Sequence, residues 1–89
     1  MTVEEIARAH ILETFLVTEE EAWRRAVNVC AFLVEKLGDL TDLPPSAIRR
    51  NIDLTLGHEL PWRDPDHRDA FMAELKAELD EARSRGLLR

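Results

Sequence analysis

A chain of 89 residues with 18 acidic and 12 basic side chains carries a net charge of −6 at neutral pH. That length leaves room for one hydrophobic core, so residues 1–89 read as a single domain. The charge disfavours non-specific nucleic-acid binding, where lysine and arginine displace counterions from phosphates, and the lone cysteine excludes an internal disulfide or a multi-cysteine zinc site.

The acids are concentrated in the first half: residues 1–45 hold 9 acids and 4 bases, residues 46–89 hold 9 and 8. Tyrosine is absent, and Ala, Leu, Glu and Arg dominate, which favours helix over strand. The start, Met1-Thr-Val-Glu-Glu, has neither the positive region nor the apolar run of a secretory signal. The most apolar stretch, Ala26–Val34, contains Asn28 and falls far short of the ~20 residues that cross a bilayer. A cytoplasmic, membrane-free protein is expected.

Four helices are predicted, over about residues 3–17, 19–37, 46–56 and 65–85, in an all-α bundle or orthogonal array. Thr2 with Glu5 and Thr18 with Glu21 have capping-box spacing, in which the threonine accepts from an orphan amide and the glutamate reaches back. The first segment carries Val3, Ile6, Ala7 and His10 on one stripe. Ile11, Leu12, Phe15, Leu16 and Val17 then go most of the way round, as in a helix enclosed by neighbours or by a subunit interface.

The second segment has the clearest periodicity. Trp23, Ala26, Cys30, Leu33 and Leu37 follow three-four spacing, widened by Val27 and Val34, which predicts the central helix with this stripe in the core. Glu19, Glu20 and Glu21 complement the positive end of its dipole. Pro44-Pro45 closes the loop that follows and permits helix after it. The third segment places Ile48, Ile52 and Leu56 on one face. Asp64-Pro65 opens the fourth, an N-cap followed by proline at the first helical position, and Phe71, Met72, Leu75, Leu79 and Ala82 form its stripe. Gly38, Gly57 and Gly86 stand where left-handed C-caps are expected.

Few residues suggest chemistry. His58, Glu59, Asp64, Asp66 and His67 crowd the connector and the start of the fourth helix, but Trp62 and Pro61 break the helical zinc-protease pattern, so no metal site is assigned. Cys30 lies among apolar neighbours and His10 on an apolar stripe, as structural residues do. No nucleophile elbow or phosphate-binding glycine loop exists, and neither enzyme activity nor a cofactor is expected. Trp62 is expected either to close over the core or to anchor a partner, with Arg63 beside it.

Segment three, Ser46-Ala-Ile-Arg-Arg-Asn-Ile, resembles the recognition helix of some bacterial helix-turn-helix repressors. That resemblance implies DNA contacts by Ser46, Arg49, Arg50 and Asn51. Asp39, Asp42 and Asp53 surround this helix with negative charge, so DNA binding stands as the alternative. The expectation carried forward is a non-enzymatic protein acting by protein–protein binding or as a homodimer. Small acidic helical proteins of this kind include regulators, phage-encoded inhibitors of host defence and accessory subunits. Phe15, Leu16, Val29, Phe32, Trp62 and Arg63 are the expected interface residues, and nucleic acid is not an expected partner. A DNA-mimicking role for Glu19, Glu20 and Glu21 is a further variant of the same idea.

Overall fold

In the computed structural model, which describes residues 2–87, four helices follow one another: α1 (Val3–Thr14), α2 (Glu19–Leu37), α3 (Pro45–Leu56) and α4 (Pro65–Ser84). A single 3₁₀ turn, Leu40–Asp42, lies between α2 and α3. It forms where the sequence predicts plain loop, because Asp39 caps it: the Thr41 amide and hydroxyl donate to the Asp39 carboxylate at 2.9 and 2.7 Å. Among the described residues no strand forms.

Both threonine caps are present. Thr2 accepts from the Glu5 amide and Thr18 from the Glu21 amide, at 3.2 and 3.1 Å. The reciprocal half of the second box is replaced, because Glu21 turns its carboxylate to Arg25 at 2.9 Å and to Arg24. Asp64 caps α4 as predicted, accepting from the Asp66 amide at 2.9 Å.

α1 stops at Thr14, three residues before the predicted end. The reason is a backbone bridge between Phe15 and Trp62: the Leu16 amide donates to the Pro61 carbonyl at 2.8 Å, and the Arg63 amide donates to Thr14 at 2.9 Å. Phe15, Leu16 and Val17 are therefore extended or irregular rather than the last turn of a helix.

α1 packs most extensively against α2, with α3 crossing α1 as the second contact, so α1 rather than the expected α2 is the helix on which the others pack. Ala7, Ala22 and Ala26 are all fully buried on the two helices, and such small side chains let backbones approach closely. This sets the rotation of α2. Ala22, Ala26, Val29, Cys30 and Leu33 face the core, whereas Trp23, Val27, Val34 and Leu37, predicted to be core, are exposed. The core is completed by Ile11, Phe15, Leu40, Ile48, Ile52, Leu56, Trp62 and Phe71.

α4 contributes one fully enclosed residue, Phe71, with Met72 and Leu75 partly covered and Leu79 exposed. Arg50 on α3 ties it down further through Glu74 at 3.2 Å and through Glu78. Gly38 and Gly86 adopt the left-handed conformation at φ 84° and 75°, but Gly57 remains right-handed at φ −60°. Its need for glycine is a close approach instead: a Cβ there would stand 2.4 Å from the Asp53 carbonyl oxygen and 3.1 Å from the Trp62 ring.

Candidate functional site

Three of the six expected interface residues are core residues. Phe15 is 0% exposed, Val29 4% and Trp62 8%. Trp62 is the closure of the core rather than an anchor. Its ring meets Phe15 edge-on at 4.9 Å, Phe71 at 5.5 Å and His67 at 5.2 Å, and its Nε1 donates to the Gly57 carbonyl at 2.9 Å. The bridge to Phe15 and the glycine at 57 draw it inward. Leu16 and Phe32 are exposed, the latter with the Lys36 ammonium 5.8 Å from its ring centre. Arg63 is exposed but engaged, since its Nε donates to the Leu12 carbonyl at 2.6 Å, satisfying an orphan acceptor at the end of α1.

The four residues of the DNA-binding alternative share α3 but not a free basic face. Ser46 and Arg49 are exposed. Asn51 donates to the Ala47 carbonyl of its own helix at 2.8 Å, and Arg50 is held by Glu74 and Glu78. The acidic first turn of α2 is similarly committed: Glu19 accepts from Arg8 at 2.8 Å and Glu21 from two arginines, leaving Glu20 without such a role.

One pairing has no local sequence signal. His10 on α1 and Asp53 on α3, 43 residues apart, meet at 2.7 Å between Nε2 and Oδ1, both nearly enclosed. The Thr14 hydroxyl lies 3.4 Å from both ring nitrogens. A shallow cleft of about 270 Å³ opens beside the pair, bordered by Arg49, Arg50, His67 and Glu74. The imidazole is directed to Asp53, and among the described residues no serine or cysteine hydrogen-bonds to it. The pair fastens α1 to α3, with each buried polar group satisfying the other.

Cys30 is a structural thiol: burial, with the Glu4 carboxylate adding to it, pushes its pKa up to about 11. A thiol so raised is protonated at neutral pH and unreactive. Among the described residues no three metal-ligating side chains converge, so the connector carboxylates and imidazoles remain separate.

The surface that stands out was predicted to be core. Trp23, Val27 and Val34 are 45, 53 and 51% exposed. At about 100° per residue they fall within about 40° of each other, roughly a quarter of a turn from the buried stripe of α2. Arg8 places its guanidinium 5.7 Å from the Trp23 ring centre, propping one end of this face. At the other end a groove of about 850 Å³ runs between α2 and the start of α1, floored by Val27, Ala31, Val34, Ile6, Leu43 and Ile48. Its only charged lining residues are acids, Glu4 and Asp39.

No protein-family model, curated protein or solved structure matches this chain. The site is therefore defined by its own geometry: an apolar helix face with an adjoining acid-rimmed groove. Its character is apolar area with an aromatic residue at one end and the Glu4 and Asp39 carboxylates on the rim of the groove. The signal for it lay in the sequence, because α2 has more apolar positions than one core-facing stripe can use.

Proposed function

We propose that this chain is a small, acidic, non-enzymatic protein-binding module, of regulator, inhibitor or accessory-subunit type, that works through the outer face of α2. The observation that carries the reading is the exposure of Trp23, Val27 and Val34 on one face of α2, continuous with the groove. Isolated exposed apolar residues need no explanation, but a contiguous row along a helix does. Against the DNA-binding alternative stands Arg50, already neutralised by two α4 carboxylates. A cytoplasmic site of action fits the single buried, unpaired thiol. No helix of the described residues is long and apolar enough to cross a membrane.

The test is capture of partners by tagged protein from its source cell, with wild type and Val27→Glu run in parallel and nuclease added to half of each. A charge in the middle of a desolvated interface costs a factor of about 10 or more in affinity, so the partner band drops with Val27→Glu and survives nuclease. A partner retained equally by Val27→Glu, or one lost only with nuclease, contradicts the reading.

A further inference from the structure

We infer that the partner seated on the outer face of α2 is a second copy of this chain, packed as an antiparallel α2–α2 pair. This inference rests on the protein-binding reading above and names the partner at that same face.

The first support is the spacing. Trp23, Val27, Cys30, Val34 and Leu37 recur at four-three-four-three, the repeat that makes a helix–helix seam, and all but Cys30 are exposed. The face is also its own complement when inverted. Pairing two copies about a two-fold axis beside residues 28 and 29 sets Trp23 against Val34 of the second copy, large against small. Val27 then meets the small, exposed Ala31, beside the buried Cys30.

The flanking charges obey the same inversion. Arg24, which also reaches Glu21 on its own helix, and Glu35, both exposed, lie within about 20° of each other on the outer flank of the stripe. In an antiparallel pair equal flanks face one another, so each Arg24 falls within a turn of the other copy's Glu35, twice over. A parallel pair loses this match. It would also bring two Glu19–Glu21 first turns together and align the two helix dipoles, whereas the antiparallel pair sets each acidic turn beside the Lys36 end of its neighbour.

Light scattering after size exclusion, over a wide concentration range, reads the state directly. The wild type is expected at twice the chain mass, and Val27→Glu at the chain mass with unchanged helical circular dichroism. Should Val27→Glu lose helicity, Val34→Glu gives the same readout. Glu35→Arg weakens the dimer by roughly three- to tenfold, from two surface ion pairs turned repulsive, and Arg24→Glu/Glu35→Arg restores it.

A wild type that stays monomeric throughout overturns the inference, as does a dimer indifferent to both stripe substitutions. A dimer that the double charge exchange fails to rescue overturns the antiparallel register. Capture separates this inference from the reading beneath it. A monomeric wild type whose capture of a different protein still fails on Val27→Glu sinks the second copy alone; one whose capture is unaffected sinks both.

Discussion

The two tryptophans have the same chemistry and opposite situations. Trp62 is 8% exposed, touches Phe15, Phe71 and His67, and satisfies the Gly57 carbonyl, whereas Trp23 is 45% exposed and borders only Arg8 among the aromatic and cationic contacts. Truncating a buried aromatic leaves a cavity and here also an orphaned carbonyl. Trp62→Ala should therefore cost about 3–5 kcal/mol of folding stability, and Trp23→Ala under ~1 kcal/mol, read from urea midpoints. Equal losses would mean that Trp23 belongs to the core and that the outer face of α2 is misread. The sequence leaves Trp62 open between core lid and partner anchor and assigns Trp23 to the core stripe, where the structure does not put it. Trp62 follows a proline in a loop, and its fate depends on Gly57 and Phe71, which local spacing does not connect to it. His10 and Asp53 show the same limit: each sits at the edge of an apolar stripe, and only the crossing of α1 and α3 brings them together.

At the level of elements, what was legible is what is local. The bounds of α2 match the prediction because Thr18, the acidic first turn and Gly38 are all signals within one turn of the helix ends. Its rotation was not legible, since α2 has two adjacent apolar stripes and periodicity alone cannot choose between them. The choice is made by Ala22 and Ala26, whose small size admits α1 where Trp23 and Val27 would hold it off. The end of α1 was misjudged for a related reason, a backbone pairing with residues 61–63 that leaves no periodic trace. The N-terminal turn of α2 also sets a pH dependence. Hydrogen bonding from Arg25, helped by Arg24, holds the Glu21 carboxyl below its ordinary range. A carboxyl lowered on folding contributes stability that is full above its unfolded value and is lost as pH falls through its folded one. Glu21→Gln should thus lower the urea midpoint at neutral pH, and its curve should converge on wild type as acid protonates Glu21 in the folded protein. Parallel curves at all pH values would show that Glu21 adds nothing to the fold.

The whole molecule is a slab, 41 by 31 by 19 Å. Its radius of gyration, 13.9 Å, exceeds the about 12 Å typical of a compact chain this long, and its thin dimension is about two helix diameters. A slab this thin leaves α2, which packs chiefly against α1, with one face in solvent. The same shape leaves the second half of α4 reaching past the core, where Leu75 is partly covered and Glu78 pairs with Arg50. The central claim is that the outer face of α2 is where this protein meets another chain. A photo-crosslinking residue placed at position 27, compared with one at position 54 on α3, tests that claim inside the source cell. Leu54 is 38% exposed, so both positions are accessible to neighbours. A discrete protein adduct from position 27 and none from position 54 is the predicted result; no adduct at 27, or the same adduct at both, would contradict it.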